Sequence, residues 1–579
     1  MRRHLALLSL LLLILAACGD GDADTPATTE APAAATTEAT AAPTTEPTAA
    51  PTTAAETTTE ETTATTEAPA TTTTAAAAPP AVVPTGTVTV ALPTFGNELL
   101  DPTRSSNPDL PYWANSFDFL LGMDENGNPT TETGAAISVE SSPDAKVWTI
   151  ELREGMTFHD GVEVTAEDVA FSFELYAREE SACTSCGKMQ RNFDSATVTG
   201  TYTLEVTFKE PNALFLRDLT RVNDTLAIIP KHHWEAVGGG DGFNENPLGS
   251  GPYVFSDRAI GEFVEFKANT EYWNPDRIPG FETLRIVLAP EATSRLALLE
   301  RGDADLALMD PFTAPDVLAA GLEIAGPKRV QTLSMAFGMP WKTEFFYNDQ
   351  AAREALIKAV NVAAIVSAIY PEGTATPAAS FAAVPSQEGH DPSLTPYVYD
   401  AAAAAQEIQD LGLAGQEITM YQYAFGATPE FPRIQEAVAA FWTQAGLSPQ
   451  LRPTDFATIR PNFLEAPYFT EPFTHLWFVT AGTTTENALR IGVISKDAGG
   501  FYAAFGDPEL DDIYSQYRSE VDPGEREALA GRAVSLIYDT YAVLPIATTD
   551  MIWGMGPRIS SWSPTNGSVA AVNFETLRP

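Results

Sequence analysis

The sequence predicts an α/β fold, and three stretches carry that prediction. Trp148 to Phe173 reads WTIELREGMTFHDGVEVTAEDVAFSF, a strand, a turn-rich loop and a capped helix. Tyr253 to Ser256 and Phe263 to Lys267 read as two strands that pair across a Gly261 turn. From about Val330 the pattern becomes regular βαβ alternation, with a strand at Glu417 to Tyr423, a helix at Phe431 to Ala445 and a strand at Leu447 to Pro453.

The chain has 579 residues, enough to bury a large core. Its N-terminus reads as a processing signal. Arg2 and Arg3 precede an apolar run from Leu5 to Ala17, shorter than the roughly 20 residues a membrane-spanning helix needs. The run ends in Leu15-Ala16-Ala17-Cys18, which resembles a bacterial lipobox and makes Cys18 the expected lipidation site. An ordinary secretory signal with an incidental cysteine is the alternative. Residues 1–18 are thus expected to be a lipoprotein signal peptide, and 19–85 a tether. That tether is almost wholly Thr, Ala, Pro and Glu, without Lys or Arg, and cannot bury enough apolar surface to fold. As a coil it would span roughly 45 Å.

The formal net charge is −44. Setting aside the ten acids between Asp20 and Glu67, and Arg2 and Arg3, leaves 67 acids against 31 bases, or −36. Such a surface repels nucleic acid and anionic headgroups, so no nucleic-acid partner is expected. Beyond Cys18 the only cysteines are Cys183 and Cys186, in ESACTSCGKM. In an oxidising compartment a small-loop disulfide is the favoured reading, with reduced or catalytic thiols as alternatives. No further Cys or His pair completes a metal site there, and no metal or cofactor is expected.

Within the opening stretch, Ile150 and Leu152 alternate with polar residues, and Gly155 and Gly161 mark turns. Thr165 stands at a helix N-cap with Asp168 three residues on, and Val169, Phe173 and Tyr176 draw an apolar stripe. Later, Tyr202 to Phe208 alternates as a strand, and NPLGSGPY (Asn246 to Tyr253) forces a sharp backbone crossing. A helix from Arg295 to Arg301 closes at Gly302, Arg353 to Ile365 reads as one helix, and Leu544 to Met555 as a returning strand.

LREGMTFHDGVEVTAEDVAFSF resembles the signature of the family 5 extracellular solute-binding proteins, the oligopeptide-, dipeptide- and nickel-binding components of ABC importers. LLDP at Leu99 to Pro102, IIPKHHWE, NPLGSGPY, Tyr272-Trp273, LRPTDFATI and LPIATTDMIWGM fall in the family's order, so the resemblance covers about 86 to 579. His159 and Asp160 read as a polar turn that binds nothing.

The resemblance implies a two-lobed periplasmic-binding-protein fold of type II, in the large peptide-binding subclass, with a hinge and an inter-lobe cleft. It divides the chain into 86–325 as lobe I with an extra subdomain at about 129–246, 326–545 as lobe II, and 546–579 returning to lobe I. It implies a non-enzymatic receptor, monomeric and extracytoplasmic, held to the membrane by its lipid. Such a receptor would pass a small-molecule solute, peptide-like or otherwise polar, to ABC permease subunits.

In peptide-binding members a Trp-x-x-Asp element supplies an acid that pairs with the peptide ammonium. Here it reads Trp477-Phe478-Val479-Thr480. A hydroxyl cannot offset the burial of an unpaired ammonium, so Thr480 points to neutral or weakly polar solutes. Trp113, Trp341, Tyr421, Tyr423, Phe425 and Trp477 are the aromatic candidates for the cleft walls, each equally able to be core. The rival readings are a secreted hydrolase using paired acids such as Asp303/Asp305 or Asp511/Asp512, and a surface adhesion or sensor protein on the same fold.

Overall fold

Two sheets organise the chain. The computed structural model describes residues 83–579 except 106–108, 125–126, 184–185, 222–225, 386, 424–427, 465–467, 481–483, 501–505 and 565–572. Cys18, the tether up to residue 82 and Phe425 lie outside the described residues.

The first sheet has seven strands. Thr87–Leu92 is central, parallel to Thr283–Leu288 on one side and to Leu306–Leu308 on the other. The Tyr253–Ala259 and Phe263–Ala268 hairpin continues the sheet at one edge, with Gly261 at φ 75° in its turn. At the other edge the late strand Trp553–Met555 inserts between Leu306–Leu308 and Glu323–Ala325. A separate four-stranded antiparallel layer (Ala136–Ser141, Val147–Leu152, Thr203–Phe208, Phe193–Gly200) stands beside it and packs against the helix Ala166–Ala177. In that helix the Asp168 carboxylate accepts the backbone N–H and hydroxyl of Thr165, both at 3.0 Å. Its other oxygen accepts the Lys231 N–H, tying the helix to the segment around His232.

The motifs read from sequence meet in space. Gly251 N–H donates to Ser116 O, and a Cβ on Gly249 would lie 1.9 Å from that same oxygen, so only glycine permits the crossing. His159 reaches the Gly251 carbonyl through Nε2 at 2.9 Å, and enclosure pushes its pKa down to about 4. The ring is therefore neutral, and Nε2 carries the proton it donates. Asp160 meets His232 at 2.8 Å. Tyr272 and Trp273 both donate to Asp118, at 2.6 and 3.2 Å. Cys183 and Cys186 are joined as a disulfide.

The second sheet has six strands in the order Ala375–Pro377, Val543–Thr549, Gln331–Phe337, Phe473–Thr480, Glu417–Gln422, Ser448–Pro453. One face packs on the helices Gln350–Lys358, Val362–Ile369, Ala401–Asp410 and Phe431–Gln444, around Leu333, Met335, Leu476 and the wholly buried Trp442. The other packs Ala336, Trp477 and Val479 on Thr485–Gly492, Pro508–Ser519 and Pro523–Asp539. Both faces are covered, which is why Gln331–Phe337 is buried throughout instead of alternating.

Two elements differ from their sequence prediction. The single helix expected from Arg353 to Ile365 is two, Gln350–Lys358 and Val362–Ile369. Asn361 leaves helical geometry at φ −81°, ψ 84° and its side chain caps the Ala364 N–H at 3.0 Å, an alternative that Asn offers the backbone more readily than most residues. The expected returning strand from Leu544 to Met555 splits at Asp550 into Val543–Thr549 and Trp553–Met555, one in each sheet.

That split marks the passage between the sheets. Asp550 accepts Arg329 through N–H and Nη1 at 2.9 and 2.6 Å, and Lys328 lies at 3.0 Å. Met551 N–H donates to Pro327 O, so two antiparallel segments run side by side from one sheet to the other.

Candidate functional site

The second sheet presents its functional edge where Phe473–Thr480 and Glu417–Gln422 end. These strands are parallel, so their carboxyl ends share one edge, the place where open α/β sheets bind ligands. Gln331, the first residue of its strand, pairs there with Thr480 on one side and Thr549 on the other. Thr480 is half-buried, and its carbonyl accepts Gln387 Nε2 at 3.3 Å.

Gln387 also lines a cavity of about 360 Å³ between the first lobe (Leu214, Arg217) and the second (Glu388, His390, Arg526). Most of the charge in this cavity is already spent. Glu388 takes Arg526 through Nε and Nη2 at 3.0 Å and accepts the Tyr517 hydroxyl as well. Glu527 accepts the Gly389 N–H at 2.7 Å.

Trp477 lies three residues before Thr480, 7% exposed, stacked on Phe381 with centroids 6.1 Å apart. Gly492 closes under its ring so tightly that a Cβ would sit 2.2 Å away. Among the described residues its Nε1 is buried without a hydrogen-bond partner, as are Thr332 Oγ1 and Ser334 Oγ from the neighbouring strand. Ser334 pairs directly with Trp477, and Thr332 with Val479, so these groups share one face of the sheet.

The other aromatic candidates are dispersed. Trp341 is 44% exposed and lies beyond Phe337, at the end of its strand opposite Gln331. Six residue steps of strand, roughly 20 Å, separate that end from Thr480. Trp113 is fully buried in the first lobe, edge-on to Phe117 at 5.4 Å. Tyr421 donates to Glu471 at 2.6 Å, and burial together with that carboxylate pushes its pKa above the phenol range. Tyr423 is 4% exposed, with its hydroxyl on Leu476 O at 2.8 Å and its ring against Phe431. Trp477 and Thr480 lie toward the same end of their strand but on opposite faces of the sheet, and Trp341 and Trp113 lie apart from them.

The paired acids that suggested hydrolysis are engaged in scaffolding. Asp305 accepts the Thr89 N–H at 2.8 Å and Arg558 Nε, and Asp303 accepts Arg301 Nε. Asp511 accepts Ser495 and Asp512 accepts Gln516. Among the described residues no cluster of His, Cys, Asp or Glu could hold a metal ion, and no helix is long and apolar enough to cross a membrane.

One acid at this edge has no counterpart in the sequence reading. Glu430, just before the helix Phe431–Gln444, is 3% exposed and accepts the Tyr370 hydroxyl at 2.7 Å. Phe431 beside it packs on Phe478, two residues from Thr480. Only the Thr428-Pro429-Glu430 sequence ahead of an apolar helix hinted at a structured helix start.

Residues 130–483 match the model of the bacterial extracellular solute-binding proteins, family 5. The chain belongs to this family. Its members are binding proteins of ABC import systems, not enzymes, and work outside the cytoplasm.

Relatives include the di/tripeptide-binding protein 1 of Pseudomonas aeruginosa, 26% identical over 56% of this chain and 64% of that protein. The heme-binding protein A of Haemophilus influenzae is 24% identical over 76% of this chain and 82% of its own length. The dipeptide-binding protein of Escherichia coli is 24% identical over 72% and 81%. Among solved structures, CtaP of Listeria monocytogenes superposes with TM-score 0.73 at 21% identity, over 86% of this chain and 99% of that one. DppA of Helicobacter pylori, in complex with the peptide STSA, gives TM-score 0.64 at 21% identity, over 85% and 98%. The two-lobed fold of family 5 is thus the fold of this chain.

Proposed function

We propose that this protein is a lipid-anchored extracytoplasmic receptor. It binds a peptide-like or other small polar solute in the cleft between a first lobe, 86–325 with 546–579, and a second lobe, 326–545. As a monomer it hands the solute to the permease subunits of an ABC importer. The observation that carries this reading is the sheet end near Thr480, where the buried Trp477 Nε1 and Gln331 Nε2 have no hydrogen-bond partner among the described residues. The relatives named for di/tripeptides, heme and dipeptides support a solute of this size. Trp113, Trp341, Tyr421, Tyr423 and Phe425 remain weaker candidates for the walls than Trp477 and Thr480.

The test is mass spectrometry of solute that co-purifies with the folded domain, followed by calorimetry of that solute. Binding without turnover is expected, and Trp477→Ala should weaken it by about tenfold through loss of the stacked wall. Turnover of the solute would sink the receptor reading. For the anchor, Cys18→Ala should move the protein to the soluble fraction, because an apolar run of 13 residues cannot hold it in a bilayer. An acylated protein that stays on the membrane after that change would place the anchor elsewhere.

A further inference from the structure

Buried polar atoms without a partner are rare in folded proteins, and each calls for a reason. Three gather at the start of the Phe431–Gln444 helix. Glu430 Oε1 accepts the Tyr370 hydroxyl, but its Oε2 is buried without a hydrogen-bond partner among the described residues. Thr428 Oγ1, in a residue with no exposure at all, is in the same condition, and so is Gln435 Oε1 in the next turn. Gln435 already spends its Nε2 on Tyr421 O at 2.7 Å. A carboxylate oxygen and an amide oxygen can only accept. The Thr428 hydroxyl can donate once, which still leaves the carboxylate and amide oxygens short of donors, and the group best suited to a buried carboxylate is a cation carrying several N–H bonds.

The position is as informative as the chemistry. Glu417–Gln422 ends at the edge shared with Thr480, and the helix starts just beyond it, so the Glu430 end of the helix lies on the cleft side. The first lobe reaches the same place. Arg433, one turn along the helix, lies over the Phe312 ring at 4.0 Å, and Asp310 is near enough to act on Glu430 electrostatically. Asp310 itself is occupied, accepting the Phe312 and Thr313 N–H groups ahead of the helix Ala314–Ala319. Glu430 thus stands at the seam between the lobes, with one oxygen uncommitted.

We infer that Glu430, in place of an acid at position 480, is the anchor for a positively charged group, and that the solute carries an ammonium or guanidinium. This rests on the receptor reading above and narrows its solute class. The expectation of a neutral solute came from Thr480 alone. Glu430 returns the missing carboxylate from a different strand–helix junction. The net charge of −44 works in the same direction, drawing cations toward the protein.

A pH signature follows. Burial pushes the Glu430 pKa up to about 7, the Tyr370 hydrogen bond works against that rise, and Asp310 adds to it. The groups acting on it are Tyr370 at the end of the Val362–Ile369 helix and Asp310 from the first lobe, while Arg433 on its own helix turns its guanidinium over Phe312. Below pH 7 the carboxyl is protonated in the free protein, and a bound cation must displace that proton. Affinity for a cation should therefore fall as pH drops below about 7, with proton release on binding near neutrality.

The experiment compares full-length protein and Glu430→Gln by calorimetry in two buffers of different ionisation enthalpy. The probes are putrescine, agmatine and lysyl-alanine, with butanediol and a neutral disaccharide as uncharged controls, together with any solute that co-purifies. We expect a cationic probe or a cationic co-purified solute to bind with proton release. Glu430→Gln should weaken that binding about 10- to 100-fold and remove its pH dependence, while the melting temperature stays level or rises. A merely structural Glu430 would lower the melting temperature and leave the pH profile of binding unchanged, which overturns the inference. A neutral or anionic solute held equally by both proteins overturns the cation anchor and leaves the receptor standing. A cleft that carries nothing and binds no probe overturns both.

Discussion

Two buried carboxylates show how differently the lobes use charge. In the first lobe, Glu575 is enclosed and paired with two guanidiniums, although only its Oε1 is hydrogen-bonded. Arg277 meets its Oε1 through Nε and Nη2 at 3.2 and 2.5 Å, and Arg221 approaches its Oε2 at 3.8 Å. Burial alone would raise its pKa, but the two guanidiniums outweigh it and hold Glu575 below the ordinary carboxylate range. In the second lobe, Glu430 is also deeply buried but meets no cation among the described residues; the Tyr370 hydroxyl and a backbone N–H answer it, and burial wins. The first arrangement fixes the C-terminal segment to the lobe. The second leaves a group whose cost is relieved only when something else arrives, which is what a binding edge requires.

The contrast breaks most plainly if the first lobe's cation is removed. Arg277→Met leaves Glu575 without its closest partner and takes a donor from the Tyr272 hydroxyl, so stability should fall by about 3 to 5 kcal/mol in denaturant titration. A loss below about 1 kcal/mol would show that the network does not hold the lobe.

Glu430 supplies the opposite sign. Its folded-state pKa is raised from 4.5 to about 7, so the folded protein holds the proton more firmly than the unfolded chain. Stability of the unliganded protein should therefore decline as pH rises from about 4.5 to 7 and level off above that, by up to about 3 kcal/mol. Glu430→Gln should flatten this slope. A slope identical in both proteins would assign it to other groups.

Between these two cases lies the packing at the cleft wall. Gly492→Ala pushes a methyl against the Trp477 ring, costing about 1 to 3 kcal/mol and shifting solute affinity through the displaced indole. An unchanged melting temperature would mean that the ring moves freely. The smallest effect should come from a satisfied polar group in the second lobe. Asn361→Ala removes the cap on Ala364 and should cost about 1 kcal/mol, with no change in solute binding.

Much of the fold was legible because its signals are local. Thr165 and Asp168, the alternation around Ile150 and Gly302 at the close of its helix each act within a few residues, and each appears as expected. Asn361 was visible too, as a departure from the family's Asp, but its consequence was not. A capping side chain and a helix-interior one look alike in sequence, and only the turn's geometry separates them. The site was harder. Trp113, Tyr423 and Trp477 read in sequence as either wall or core, and distant elements bury all three. Glu430 passed as one of 77 acids, because its isolation depends on Tyr370, sixty residues earlier, and on Asp310 from the other lobe.

The strand order of the first sheet also dictates a sequence in time. Glu323–Ala325 has its partner in Trp553–Met555, which also pairs with Leu306–Leu308. More than two hundred residues separate these neighbours, and all of the second sheet is strung between them. A chain growing from its N-terminus can complete the second sheet before the first, because its last strand ends at Thr549. The lobe that begins first thus finishes last, and keeps an open edge until the strand Trp553–Met555 arrives.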